Sequence, residues 1–350
     1  MPNDETDVSE ITAANFLRKS PTSQNAIVVG AGLSGLVAAR QLQAHGSRVT
    51  VVEKARGPGG RMSTRRESVA SFDHGAQYFT AHSTEFRKAV QDWQERGLVS
   101  PWQARIAVID ENGLRPGGEN TERFIGIPGM SALCRDLAAE LDAVRFDWKA
   151  TRLQQTGEGW LVHSVQGEAL QAQTLVLSIP PLQARELLPG HLFTNELAAV
   201  DMRPCWAVMA VLEQALLDSH DAAFINHGPL SWISSQSSRP AEDDASAAGK
   251  PHAWVLHASA EWSRQHLEAD PDWVCSELLQ AASSLPGAAA NRVKWSKAHR
   301  WRYSQAEQPL QQGVLMLPAN RLVLAGDWCN GSRVEGAYLS GLAAAEYCQQ

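Results

Sequence analysis

Gly30-Ala31-Gly32-Leu33-Ser34-Gly35 sets three glycines at the spacing of a phosphate-cradling turn, and Glu53 follows eighteen positions after the last of them. In such a turn the first glycine permits the tight bend, the second lets backbone amides approach a pyrophosphate, and the third lets a helix pack on its strand. An acid at the tip of the next strand can accept hydrogen bonds from an adenosine ribose. A second run, Gly57-Pro58-Gly59-Gly60, lies among Arg56, Arg61, Arg65 and Arg66, which joins flexible amides to cations. The chemistry these residues offer is the binding of a dinucleotide at two backbone approaches rather than one.

The elements needed to position them are legible on either side. Ile27-Val28-Val29 is a short β-branched run before the turn, 36–43 carries Leu36, Ala39 and Leu42 at helical spacing before Gly46, and 49–52 is a second β-branched run ending at Glu53. Strand, glycine turn, helix, strand and acid thus stand in the order a Rossmann unit requires. At the other end, 321–325 reads as a buried strand closed by Gly326-Asp327, and 336–348 as a helix with Leu339, Leu342 and Ala343 on one face. Between them, 124–141 predicts a helix with Met130, Leu133, Leu137 and Leu141 inward, and 144–165 and 174–181 predict strands. In 270–282 a further helix is expected, with Asp270 as its cap and Pro271 in the first turn.

With Gly59, Gly60 and Arg61 shortly after the ribose acid, the chain resembles the FAD-dependent amine oxidase superfamily. That resemblance implies non-covalent FAD, since the cysteine of "GDWCNG" matches no covalent flavin link. It implies FAD contacts from Gly30 to Gly35 (Ala31, Gly32, Leu33 and Ser34 included), from Glu53 and Lys54, and from Gly60, Arg61 and Met62. Further contacts are implied for Gln77 and Tyr78, for Ala150 beside the adenine, for Asp327, and for Val334, Gly336 and Ala337 at a helix start aimed at the flavin.

"FDHGAQYFTA", "CWAVMAVLE", "HAWVLHASAEWSRQHLE", "KAHRWRYS" and "GDWCNGSRVEGAYLSG" narrow the likeness to the renalase family, in its bacterial form. This implies oxidation of 2- or 6-dihydro isomers of NAD(P)H to NAD(P)+ by hydride transfer to flavin N5, with dioxygen or another acceptor taking the electrons. Such a hydride transfer yields an aromatic cation, so no general base is obligatory and the protein must mainly hold two rings face to face. His257, Trp301 and Tyr303 are the candidate substrate-site residues. The rival readings are an amine or other CH–NH oxidase of the same superfamily and a flavin-binding signalling protein.

Composition bounds these readings. A length of 350 residues, 44% hydrophobic, admits a large core and two domains, and a net charge of −7 provides no field for nucleic acid. Five cysteines with no Cys-x-x-Cys pair indicate neither a disulfide framework nor a metal site. No apolar run approaches the ~20 residues of a membrane span, and the acidic N-terminus is unlike a signal peptide. No membrane association and a cytoplasmic location are therefore expected.

The expected fold is α/β. A three-layer FAD-binding domain with a mainly parallel sheet is assembled from 25–80, 127–185 and 291–350, after an extension over 1–24. Segments 81–126 and 186–290 form an inserted α+β substrate domain with an antiparallel sheet, and 234–251 reads as a surface loop. One feature opposes a dinucleotide substrate: 186–290 holds fourteen acidic against four basic residues, a net of −10, which favours an amine cation.

Overall fold

In the computed structural model, residues 24–117, 121–239 and 251–349 are described. The expected N-terminal extension lies outside them except for Gln24, as does most of the presumed loop.

Asn25–Val29, a run of β-branched and small residues buried from its second position, takes the centre of a six-stranded sheet. It pairs in parallel with Arg48–Val52 on one side and Thr174–Leu177 on the other. Val144–Arg145 extends one edge and Leu322–Ala325 the other, both parallel, and Val314–Leu317 adds a final antiparallel strand. Strands buried on both faces need cover on both. Helices Leu33–Ala44, Ser131–Ala139 and Val334–Gln349 pack on one face, and the three-stranded sheet Ala150–Thr156, Gly159–Ser164 and Ala169–Ala172 packs on the other. This is the three-layer, mainly parallel architecture that the glycine turn implies.

The second sheet has seven strands and is antiparallel except where Ala222–Ile225 runs parallel to Ile106–Asp110. Its spine is Met202–Leu212, flanked by His252–Ala258 and by Val293–Ala306. Helix Pro271–Ser283 covers it, and Asp270 caps that helix by accepting from Asp272 N and Trp273 N, an arrangement worth ~1 kcal/mol. Segment 293–306 was expected with the FAD-binding strands, yet it is a 14-residue strand of this sheet. Its alternating basic and aromatic residues suit a half-buried face over a cavity better than a doubly buried parallel strand.

Local boundaries differ from the sequence reading in informative places. The first helix begins at Leu33 rather than at 36, because Gly32 is its N-cap. Phe124–Gly126 is a strand paired with Val99–Pro101, the helix after it spans only Ser131–Ala139, and Leu141 lies beyond its end. In 174–181 the strand stops at Leu177, and Pro181 opens a helix. The presumed surface loop begins inside strand Leu230–Ser235, and Arg239 is buried with its guanidinium ion-paired to Asp73. Among the described residues no helix is long and apolar enough to cross a membrane, and no cluster of His, Cys, Asp or Glu is arranged to hold a metal.

Candidate active site

The glycine turn folds as its spacing dictates, for steric reasons visible at each position. A Cβ on Gly30 would lie 2.3 Å from Ser178 O, and its φ of +107° is a conformation only glycine adopts without strain. On Gly35 a Cβ would lie 2.1 Å from Gly30 O, which fixes the helix against the strand. Gly32 differs, because nothing lies within 4 Å of its Cβ position and the space it leaves opens on a cavity. The helix it starts has no acidic residue in its first turn and no side-chain cap, so its leading amides keep their capacity for an anion. Beside them the buried Ser34 hydroxyl has no hydrogen-bond partner among the described residues.

The cavity encloses about 1190 Å³, above the ~300–1,000 Å³ of ordinary small-molecule sites, and so accommodates a dinucleotide together with a further ring. Its walls include Gly30, Gly32, Leu33 and Ser34, Glu53 and Lys54, Gly60, Arg61 and Met62, and Asp327, Val334 and Ala337. Tyr78, His257, Trp301 and Tyr303 line it as well. Sixteen of the expected site residues therefore share one cavity.

The remaining five take other places. Ala31 N donates to Glu53 Oε2 at 2.8 Å and Gly35 serves packing. Gly336 is a close-approach position, where a Cβ would meet Asn330 O at 1.7 Å. Ala150 lines a smaller neighbouring cavity of about 400 Å³ that Glu53, Lys54 and Tyr303 share with it. Gln77 is buried behind the wall, 4% exposed.

Two charged residues expected at the phosphates meet each other. Arg61 donates to Asp327 Oδ2 at 2.8 Å and to Oδ1 at 2.5 Å, and also to Ser304 O at 2.9 Å, so the two glycine-bearing segments are clasped by a bidentate ion pair on the cavity wall. Glu53 Oε1 accepts from Ala55 N at 2.8 Å, which with the Ala31 contact fixes the carboxylate at the strand tip.

Around the other end of the cavity lie groups the sequence reading did not single out. Trp301 stacks on His74 at 5.1 Å and donates to His74 O, and His299 meets both rings edge-on. His257 Nε2 lies 3.1 Å from His74 O and 3.2 Å from Gln77 Nε2. Gln77 Oε1 accepts from Trp232 Nε1 and from the Ser234 hydroxyl, which turns its amide NH₂ toward His257.

Burial holds His257 and His299 at about 4 and His74 at about 3, so all three rings are neutral at pH 7. Below them Asp73 accepts from Thr64 Oγ1, Met130 N and Arg239, and Arg239 donates to Gln77 O, which ties the first sheet's segments to the second. A period-two reading of 299, 301 and 303 would have found His299. Nothing local marks His74 or Arg239, whose roles depend on partners over 160 residues away.

Known proteins match this arrangement. A family model described as a NAD(P)-binding Rossmann-like domain matches residues 28–93, and one described as flavin containing amine oxidoreductase matches 102–349, most of the chain. "Lysine-specific histone demethylase 1 homolog 1" of Arabidopsis thaliana is 62% identical over 42 residues, 12% of this chain and 5% of that protein. An L-amino-acid oxidase of Vipera ammodytes ammodytes is 46% identical over 66 residues, 18% of this chain and 14% of that protein. The chain thus aligns with only a small part of these curated relatives.

Among solved structures, a protein of Exiguobacterium sp. 255-15, provisionally named a protoporphyrinogen oxidase, superposes with a TM-score of 0.75. It is 14% identical, and the match covers 94% of this chain and all of that one. Wild-type putrescine oxidase bound to putrescine gives a TM-score of 0.69 at 14% identity, over 94% of this chain and 99% of that one. At such identities the shared property is the fold. The open space at Gly32, the unpartnered Ser34 hydroxyl and the uncapped helix start fit a cofactor pyrophosphate, and the chain belongs to the flavin-containing amine oxidoreductases, with FAD as its cofactor.

Proposed function

We propose that the protein oxidises the 2- and 6-dihydro isomers of NAD(P)H to NAD(P)+, as the renalase family does, in the cytoplasm and with dioxygen or another acceptor taking the electrons. The supporting observation is the distribution of charge around the cavity. Among the described residues the only acids on its wall are Glu53 and Asp327, both on the glycine-bearing segments, whereas Arg123, Arg300, Arg302 and Arg333 also line it. Among the described residues, none of the acids of 186–290 is on the wall; that segment contributes Trp206, Phe224, His257 and Pro271. Arg300 and Arg302 already share the carboxylate of Glu268, so the local excess of positive charge rests chiefly on Arg123 and Arg333. That excess favours an anionic nucleotide over an amine cation, because charges farther off than the Debye length of ~8 Å are largely screened.

When bound, FAD supplies the hydride acceptor, and the chain's residues supply position. Gly30, Gly32, Leu33, Ser34 and Glu53 would hold the cofactor's phosphate and ribose end, Gly60 and the Arg61–Asp327 pair its middle, and the helix start at Val334 and Ala337 its ring end. Trp301, braced by His74 and His299, would offer a flat surface to one face of a nicotinamide ring and leave the other face to the flavin, and Tyr78 lines the same cavity. His257, neutral at pH 7, is suited to hydrogen-bonding a carboxamide and is a weak base. That suits a dihydropyridine, which loses no proton on oxidation, and disfavours an ammonium substrate, which must first lose one. The amine-oxidising alternative rests on the family match.

Anaerobic mixing of the yellow protein with a panel of donors tests the proposal. Bleaching by aged NADH containing ring isomers, with none by amines such as putrescine, is the expected result. Bleaching by amines alone transfers the protein to the alternative, and bleaching by no donor favours a flavin-binding signalling role.

A further inference from the structure

We propose that Arg123 is the anion anchor of the substrate site, taking a phosphate of the nicotinamide nucleotide. This inference rests on the function proposed above. Arg123 lines the cavity close to Tyr78, and its guanidinium carbon lies 5.5 Å from the centre of that ring. Its backbone is rigid: Arg123 O accepts from Trp102 N at 2.8 Å, and the next residue, Phe124, exchanges two hydrogen bonds with Phe79. A side chain carried on such a backbone is aimed, and the cation–π contact holds it over the aromatic wall.

Among the described residues its charge has no counter-ion. One terminal nitrogen donates to Thr121 O at 3.0 Å, Nε is buried without a partner, and no carboxylate among the described residues lies within ion-pair distance. Apart from Arg61, paired with Asp327, three of the other guanidinium groups around the cavity have carboxylate partners, while Arg333, near the last helix, has none among the described residues. Arg300 and Arg302 share the carboxylate of Glu268. Arg239, beneath the wall, has Asp73. A half-buried guanidinium without a counter-ion is costly to the folded protein, and its planar fork matches a phosphate. Tyr78 beside it, and Phe224 on the same cavity wall, offer apolar surface for the nucleoside attached to that phosphate.

A structural arginine and a ligand anchor respond oppositely to removal. Truncating a structural arginine lowers stability, whereas truncating an unpaired cation does not. The test uses FAD-loaded protein, with loading confirmed from its absorption spectrum, and titrates NAD+ and inorganic pyrophosphate against the flavin absorption of wild type, Arg123→Ala, Arg123→Lys and the surface control Arg115→Ala. Expected are a loss of affinity of about 10–100-fold in R123A, the scale of hydrogen bonds to a charged group. Partial recovery in R123K, wild-type binding in R115A and an undiminished thermal midpoint in R123A are also expected. Wild-type protein that binds neither probe, or R123A that binds both as tightly as wild type, overturns the anchor. Turnover of dihydronicotinamides by the wild type is scored separately: its absence removes the proposed function, while these titrations still decide Arg123.

Discussion

Arg61 and Asp327, 266 positions apart, grip each other through two hydrogen bonds of 2.8 and 2.5 Å on the cavity wall. The pair closes the site by joining the segment after the ribose acid to the segment before the last helix. Asp327 is nearly buried, while Arg61 keeps 29% of its side-chain surface.

Arg61→Ala should therefore destabilise the protein by about 2 kcal/mol, less than the ~3–5 kcal/mol of a fully buried pair broken on one side. FAD should also be released more readily. Denaturant unfolding of R61A, D327A and the double variant checks this, with an expected coupling energy of about 0.5–3 kcal/mol. Additive losses would mean that the clasp contributes nothing beyond its separate parts.

Two glycines separated by a single residue should fail differently. Gly30→Ala places a Cβ 2.3 Å from Ser178 O at positive φ, so little folded protein is expected. Gly32→Ala meets no atom within 4 Å and has an ordinary φ of −78°, so it should fold with near wild-type stability and retain FAD poorly. FAD content and thermal unfolding of both variants measure the difference. A G32A protein that keeps its FAD would exclude that position from the pyrophosphate approach.

Stability should fall on acidification. His74 is held near 3 and His257 and His299 near 4, all below the ordinary 6.5, chiefly by burial. As pH drops below about 6.5 the unfolded chain takes up these protons while the folded chain does not, so stability declines from there down to about 4. One proton taken up only by the unfolded state costs ~1.4 kcal/mol per pH unit. His74, 5% exposed, should approach that figure, and the two half-buried rings should contribute less. Urea unfolding between pH 7 and 4 reads the slope, which His74→Asn should reduce. A flat profile would place the rings in water.

Much of this was legible in the sequence, and the rest had a common reason for being hidden. The first strand, turn, helix and acid were readable because each is a local pattern with a local cause, and the same holds for Asp270 at its helix cap. The membership of 293–306 in the antiparallel sheet was not, because it depends on pairing with 202–212 some ninety residues earlier. Arg239 followed strand residues in a stretch rich in serine and alanine, and only its distant partner Asp73 reveals that it is buried. The segment 186–290 is acidic as a sum, but none of its described acids is on the cavity wall, and a sum over sequence carries no direction.

The proposed reaction is distinguished from ordinary NADH oxidation by a preference for dihydronicotinamides whose hydride sits at carbon 2 or 6. Reacting atoms must approach within ~3–3.5 Å, so a site that orients those isomers against Trp301 should leave the hydride of ordinary 4-dihydro NADH out of reach even when it binds. Stopped-flow bleaching of the anaerobic, FAD-loaded protein by each purified isomer measures this directly. Fast bleaching by the 2- or 6-dihydro isomer and slow bleaching by 4-dihydro NADH are expected, with NAD+ acting as a competitor. Equal rates from all three isomers would contradict that preference.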